Sequence, residues 1–565
     1  SLLLTLNLLF MKKIFIYLLF FLSWIGVMAQ DIAEANKVPT TYDRSSVTVL
    51  FLDFSTGNHW YEAKSKIDNL IFSDKYDNNN LEALLLVPSF PRSAVPGNNL
   101  QTAIQNDLMS IGAGTKIISK WYNRKSDGTM DMELVHERGR FTATDADFLR
   151  AQTSKRGNAA LEEYGNRLIN LSYILVIDIN EIKTMAETGI TNMKGWQASV
   201  TGYLYRISFD DQIRNQFYDT WIYDDDSPEV KLQKKNAFEK LQVPVVPVVQ
   251  KNMRLVSSQP EGDTGVALFF KPKTTDELLQ ELVQKSYDDI VYRIEMEVEE
   301  FKVKTALYST RPLRAKIGLK EGLKTDFRFF AYEYVYNSRT NKAVPKRRGV
   351  IRAASKSKIV DNRKVATGQM ETSQFYQVHG RKLDAGYILQ QQNDFGIEGT
   401  VGPEFGEIGG GIVRVDLRTG RLSGIRALFL YLEAGFDAGN YPEAPLYLPL
   451  GGSSEFAFLR YGAGLAKGFQ LTRNVELRPY IGAGAEQATN DENTGDDALT
   501  AIYVKPGVNL ALNLTHNFQI TGGIGTYVFV SDAESVNYGS YEIKWNELFL
   551  DRLGPSTFVG IKIGF

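Results

Sequence analysis

Residues 475–486 read Val-Glu-Leu-Arg-Pro-Tyr-Ile-Gly-Ala-Gly-Ala-Glu, and the alternation in that stretch decides the fold. Val475, Leu477, Pro479, Ile481, Ala483 and Ala485 fall on one face, with Glu476, Arg478, Tyr480, Gly482, Gly484 and Glu486 on the other. Successive side chains of a strand point to opposite sides, so an apolar face backed by charge and glycine is the pattern of a membrane-spanning barrel strand. Working outward, Ile502, Val504, Val508, Leu510 and Leu512 oppose Tyr503, Lys505, Gly507, Asn509 and Asn513. At the end of the chain Val559, Ile561, Ile563 and Phe565 oppose Phe558, Gly560, Lys562 and Gly564.

Eight such segments are expected, at about 394–402, 408–418, 424–436, 455–468, 475–488, 499–513, 517–530 and 556–565. A soluble β-sandwich also alternates, but its connections need not alternate in length. Here tight turns at Arg418–Ser423, Leu471–Asn474 and Asn513–Asn517 alternate with long polar loops at Asp437–Ser454, Thr489–Asp497 and Ser531–Pro555. That is the connectivity of an outer-membrane barrel, with short inner turns and long outer loops. The third segment fits worst, because Arg426 and Glu433 differ in parity, and a bulge is expected there. The parity places Glu398, Arg414, Asp416, Arg460, Glu476, Arg478, Glu486, Lys505 and Lys562 inside. Eight strands enclose room only for side chains, so these mixed charges are expected to pair and fill the lumen rather than line a pore. The fold class expected is multidomain, with the C-terminal eight-stranded antiparallel transmembrane β-barrel preceded by an α/β module and a small β-domain.

Composition agrees. The chain has 565 residues, enough for three or four structural units at about 150 residues each. Of its 47 glycines, 27 lie within residues 393–565. Hydrophobic residues make up 43% and charged residues 23%, which excludes a disordered chain, and a net charge of −2 gives no sign of a nucleic-acid binder. There are no cysteines, which excludes disulfides, thiolate metal sites and cysteine catalysis.

Lys12 and Lys13 precede an apolar run from Ile14 to Val27 that ends in Val27-Met28-Ala29, the layout of a cleaved secretory signal. Used instead as a membrane anchor, residues 1–28 would carry both lysines inside the span, at about 2.5–3.5 kcal/mol each near its centre. Residues 1–29 are therefore read as signal peptide, with 1–10 an upstream extension. With both ends of an even-stranded barrel on one side, residues 30–392 are expected in the periplasm.

Within them, Ser46–Phe54, Lys116–Asn123 and Tyr173–Ile179 read as strands, Thr144–Asn170 as a helix, and Ala198–Phe209 with Gln216–Tyr223 as a hairpin. A long helix is expected from Thr275 to about Val303, opened by a Thr274/Glu277 capping box. These form an α/β domain over 30–304. Residues 305–392 form a small β-rich unit, with strands expected at Ala315–Gly318, Gly322–Tyr336, Gly349–Ala353, Lys364–Gln369 and Tyr387–Gln392. The barrel then occupies 393–565.

The C-terminal region resembles the small outer-membrane barrels typified by the OmpA transmembrane domain. The closing alternation ending on Phe565 is similar to the signal read by the barrel-assembly machinery, which the resemblance implies as a partner in biogenesis. Ser46–Phe54, then Gly165-Asn166-Arg167-Leu168 leading into Tyr173–Ile179, then Ala198–Phe209, resemble the CsgG-like periplasmic module of curli secretion. The lipidated cysteine typical of that family is absent, so anchoring falls to the barrel. The blocks Gly318–Leu323 and Leu383–Tyr387 are similar to the C-terminal domain of the flagellar assembly protein T family. The resemblances together suggest a Gram-negative, Bacteroidota-like envelope protein.

Candidate chemistry is sparse. His59, His136, His379 and His516 are not at metal-ligand spacing, and none lies near the expected outer rim to activate a nucleophile. No enzymatic activity, cofactor or metal is expected. Asp491, Asn493 and Asp496 only loosely match a calcium loop and read as a solvated acidic loop. A basic cluster around Lys346, Arg347, Arg348 and Arg352 is a candidate surface for an anionic lipid or an unidentified envelope protein, against the plainer alternative of a solvated strand face. The function expected is a non-enzymatic outer-membrane anchor for a periplasmic module in envelope assembly or export. The alternatives are a surface receptor or adhesin acting through the outer loops, or a small-solute channel.

Overall fold

The computed structural model describes residues 44–142 except 82, then 166–261, 272–337, 342–363, 371–442, 454–490, and 499–564 except 535, 539 and 540. The signal segment, most of the helix expected at 144–170, the Lys364–Gln369 strand, Asp491, Asn493, Asp496 and Phe565 lie outside these residues.

Eight strands close a barrel: β13 (Ile397–Gly406), β14 (Gly410–Arg418), β15 (Leu428–Asn440), β16 (Glu455–Lys467), β17 (Val475–Thr489), β18 (Leu499–Asn513), β19 (Phe518–Glu534) and β20 (Gly554–Gly564). Each pairs antiparallel with its chain neighbour, and β20 returns to β13 through pairs such as Glu398↔Gly564, so no edge is left open. The outward face is apolar. Leu432 is 55% and Ile481 57% exposed, with Leu430, Leu465, Leu510, Ile524, Val528 and Val559 also bare. A continuous apolar girdle of this kind is not a water-facing surface.

The expected bulge in the third strand is absent. Arg426 precedes β15, in a turn where Ala427 takes a left-handed φ of 49°, so its parity has no bearing on Glu433. Pairing of β15 with β16 runs unbroken from Leu428↔Lys467 to Asn440↔Glu455, and the irregularities fall between β18 and β19, at Thr500/Ala501 and Ile502/Tyr503.

Inward glycines serve the inward tyrosines. A Cβ on Gly464 would stand 2.6 Å from the Tyr431 hydroxyl, one on Gly462 2.8 Å from that of Tyr503, and one on Gly507 2.3 Å from that of Tyr480. The rings therefore lie flat across neighbouring strands where a larger residue would collide with them.

Upstream, β7 (Lys304–Thr310), β8 (Leu313–Ala315), β9 (Arg328–Asn337), β10 (Lys342–Ala353), β11 (Ser373–Gly380) and β12 (Ile388–Gln392) close a second, six-stranded barrel in the order β10-β11-β8-β7-β12-β9. Phe329, Ala331, Ile351, Phe375 and Leu389 fill its core. Residues 322–327 are turn rather than strand, while β7 and β11 add strands beyond those expected.

The α/β module centres on a sheet of β1 (Ser46–Leu52), β4 (Ser172–Thr184), β5 (Met193–Ile207) and β6 (Val245–Pro260), extended by the short strands β2 (Asp77–Asn78) and β3 (Leu85–Leu86). β1 and β4 are parallel, and both are buried along much of their length. Two expectations fail here. Residues 116–123 belong mainly to the helix Ala113–Trp121, because Ile117, Ile118 and Trp121 recur at helical spacing and bury one face. Gln216–Tyr223 is no hairpin strand: Asp210 caps the helix Asp211–Tyr218 by accepting from the Ile213 N–H, and β6 pairs with β5 instead. The long helix runs Thr275–Glu297, with the Thr274/Glu277 capping box in place, and stops short of Val303 at a turn over Glu299–Phe301. Among the described residues no helix is long and apolar enough to cross a membrane.

The packing yields a test. Gly464→Val would drive a Cβ to within 2.3 Å of the Ile481 carbonyl, whereas Gly399 has open space. Gly464→Val should cost about 1–3 kcal/mol, read as a lower temperature for loss of the fast-migrating folded band on unboiled gels. Gly399→Val should leave that temperature unchanged.

Candidate functional site

Among the described residues of the eight-stranded barrel, six acids and six bases are buried: Glu398, Glu404, Asp416, Glu433, Glu476 and Glu486 against Arg414, Arg460, Arg478, Lys505, Arg552 and Lys562. All nine interior charges expected from parity are among them. Parity misses Glu404, Glu433 and Arg552. Glu404 lies beyond the expected end of the first strand, Glu433 is obscured by the conflicting parity of Arg426, and Arg552 enters from a loop that carries no strand periodicity.

The charges pair in tiers along the barrel. Toward the tight turns, Arg478 bridges Glu398 at 2.8 Å and Glu476 at 2.6 Å, while Arg414 holds Asp416 at 2.8 Å and Lys562 stands 3.8 Å from Glu398. In the middle, Lys505 lies 3.2 Å from Glu433 and 3.5 Å from Glu404, and donates to the Tyr527 hydroxyl at 2.6 Å. Arg460 links upward, 3.2 Å from Glu404 and 3.3 Å from Glu486. Arg552 then grips Glu486 at 2.8 and 3.0 Å and reaches Asp437 at 3.0 Å. Guanidiniums also lie over rings, Arg414 at 3.6 Å from Tyr431, Arg478 at 3.7 Å from Phe429 and Arg552 at 3.6 Å from Phe458. Ions taken out of water must be paired and hydrogen-bonded, and here their number and sign balance.

Both ends are covered. At the long-loop end the turn Trp545–Leu548 drops a fully buried Trp545 onto Phe529, centroids 4.1 Å apart, and Phe549 packs against Tyr441, Phe456 and Phe458. At the tight-turn end the six-stranded barrel seals the mouth. Its Asp326, fully buried, accepts the Ala427 N–H at 2.8 and 3.1 Å and the Tyr376 hydroxyl at 2.6 Å. Arg418 lies 2.7 Å from Glu398 in the lumen and 3.7 Å from Asp326. Asp326 and Ala427 both hold positive φ, 65° and 49°, a backbone cost sustained by the contact they make.

Asp394 sits where all three units meet. It is ion-paired with Arg352, lies 3.3 Å from Arg421 and 3.9 Å from Arg328, and its carbonyl accepts from Tyr292 of the long helix at 3.5 Å. Burial alone would raise its carboxyl pKa, but the Arg352 and Arg328 guanidiniums hold it well below the usual carboxylate range. Arg352 is thus buried in an internal junction and forms no part of a free surface, a correction to the basic cluster as expected. Arg348 is tied to Glu333, while Lys346 and Arg347 are exposed.

His379 and His516 meet the same seam from opposite sides. The His379 Nδ1 lies 3.0 Å from the Asn513 carbonyl, and the His516 ring stands edge-on to Phe330, centroids 5.2 Å apart. Between them and Arg328, Glu398 and Gln519 lies a cavity of about 30 Å³, the size of one or two water molecules. Among the described residues no group of three or more His, Asp or Glu side chains is placed to hold a metal ion.

The ion pairs and the seam can each be probed. Arg478→Ala takes the ion-pair partner from Glu476 and leaves Glu398 to Arg418 and Lys562, and should destabilise the barrel by about 3–5 kcal/mol, read from the unfolding midpoint in urea. At the seam the probe is pH. Burial, then Arg347 and Arg328, push the His516 pKa down to about 4 from 6.5, so the unfolded chain takes the proton first. Stability of the seam should be full above pH 6.5 and fall as the pH drops toward 4. His516→Gln should flatten that slope in a thermal-unfolding series across the window.

No family model and no curated protein matches the chain. Among solved structures it is similar to a major outer membrane protein from Thermus thermophilus, at 16% identity and a TM-score of 0.22 over 30% of this chain and 98% of that one. It is also similar to Neisserial surface protein A, at 11% identity and 0.21 over 30% and 96%. A third is the N-terminal β-barrel domain of Pseudomonas aeruginosa OprF, at 13% identity and 0.19 over 31% and 100%.

Proposed function

We propose that the chain is an outer-membrane protein in which the eight-stranded barrel is a sealed anchor and the rest is a periplasmic module for envelope assembly or export. One observation carries this reading: the lumen is filled by balanced ion pairs and covered at both ends, so an apolar exterior is joined to an interior with no room for solute traffic. A protein whose membrane part is closed does its work outside the membrane. The larger part of the chain precedes the barrel, on the side of the tight turns, and the six-stranded barrel fixes it there. The resemblance of residues 46–209 to the CsgG-like curli-secretion module supports export or assembly as the task. The role is non-enzymatic, with an envelope protein as partner and the barrel-assembly machinery acting in biogenesis.

The chain has no native cysteine, so single thiols report topology cleanly. Asn537→Cys in a long loop should react with an impermeant maleimide on intact cells, and Leu232→Cys in the α/β module only after the outer membrane is permeabilised. The opposite pattern would invert the molecule. In planar bilayers the full chain should give no steady conductance, and stable channels would favour the solute-channel alternative.

A further inference from the structure

The seam between the two barrels does not balance as the lumen does. Arg328 and Arg352 are buried there, and the Arg418 side chain is only 6% exposed, against the buried carboxylates of Asp326 and Asp394. Arg421 adds a fourth cation at the edge. Glu398 also borders the seam, but it already faces Arg478 and Lys562 inside the large barrel. Among the described residues the seam therefore holds more positive charge than negative, in a place where a buried ion needs a partner. Arg328 registers the excess. Burial, and with it the guanidiniums of Arg352, Arg418 and Arg421, pushes its pKa down to about 10 against the pull of Asp394.

Hydrogen bonding repeats the imbalance. Arg328 donates from its two Nη atoms to Asn517 Oδ1 and to the Asn393 carbonyl, and Arg418 donates from Nη2 to Glu398. The Nε of each is buried with no acceptor among the described residues, and the His516 Nδ1 is buried without a partner as well. A buried donor left unmade is costly, more so on a charged group. Arg328 lies on β9, Arg418 at the end of β14 and His516 in the turn between β18 and β19, yet all three line the same cavity of about 30 Å³. The carboxylates in its wall are engaged: Asp394 with Arg352, Glu398 with Arg478 at 2.8 Å, and Glu476 with Arg478 at 2.6 Å. Asn513 gives its amide nitrogen to the Val378 carbonyl, which leaves its Oδ1 bare, and Gln519 can present either end of its amide.

We infer that this cavity is a binding site for a small monovalent anion, chloride or another halide, held by Arg328 Nε, Arg418 Nε and the His516 Nδ1–H. Hydrogen bonds from guanidiniums to an anion are charge-assisted and among the stronger ones a protein makes. Chloride is about the size of a water molecule and fits the space, whereas sulfate, phosphate and carboxylates exceed it. A water in the remaining room would serve the Asn513 Oδ1. The ion would tie β9 of the small barrel to two segments of the large one, and so lock the lid to the mouth. The inference stands on the seam alone and holds whatever task the α/β module performs.

The full chain in detergent is titrated from gluconate into chloride at constant ionic strength, and its thermal-unfolding midpoint is followed. A ligand that binds only the folded state raises the midpoint, so chloride and bromide should raise it saturably and sulfate should not. Crystals grown in bromide should show an anomalous peak beside Arg328 Nε and Arg418 Nε. Arg328→Gln should weaken the apparent affinity for chloride about tenfold; where that variant does not fold, the two measurements on the native chain decide. A midpoint indifferent to chloride overturns the site, and so does a response that sulfate matches, which is a general salt effect. A cavity free of bromide holds water alone and overturns the anion. Bromide in the cavity with no effect on the midpoint marks an adventitious ion only, and overturns the lock.

Discussion

Arg418 stands between Glu398 and Asp326, and through that one side chain the lumen of one barrel is joined to the wall of another. Neither carboxylate can be left alone. Glu398 is buried inside eight strands and Asp326 beneath them, where an unpaired charge costs several kcal/mol. The requirement spreads outward from there. Glu398 recruits Arg478, Arg478 recruits Glu476, and Asp326 takes up the N–H of Ala427 and the hydroxyl of Tyr376. The ladder of pairs that fills the lumen and the docking of the small barrel at its mouth form one electrostatic structure.

A consequence is that the large barrel and the units before it are not beads on a string. Asp394 gathers Arg328 and Arg352 from the small barrel and Arg421 from a tight turn of the large one, while Asn393 beside it donates to the Met296 carbonyl of the long helix at 2.8 Å. Three units converge on two residues of linker. A load on the α/β domain is passed to the eight-stranded barrel through ion pairs and hydrogen bonds rather than through a flexible tether.

Much of the barrel is legible in the sequence because its physics is local. Inside and outside differ at every second residue, so Glu476, Arg478 and Lys505 declare themselves by position alone. Legibility ends where a residue owes its place to distant chain. Arg552 plugs the lumen from a loop, Arg352 looks like part of a surface cluster until Asp394 is seen beside it, and nothing around Asp326 announces that Ala427 will meet it. In the α/β module the difficulty lies in short apolar runs: Ile117 and Ile118 suit strand or helix equally, and only Trp121, also buried, completes a helical face. In Gln216–Tyr223 the aromatic Phe217 suggests strand, whereas the Asp210 cap ahead of it sets a helix going.

The central claim, that the small barrel is docked as a lid on the membrane barrel's mouth, is tested most directly across the seam where the Ser355 Oγ accepts the Arg426 N–H at 3.2 Å. In a chain otherwise free of cysteine, Ser355→Cys with Arg426→Cys should be joined by a short thiol crosslinker in intact cells, giving a gel species absent from either single variant. Efficient joining within the monomer is the result this account requires. Two thiols that react freely and separately with maleimide, and are never joined, would contradict it.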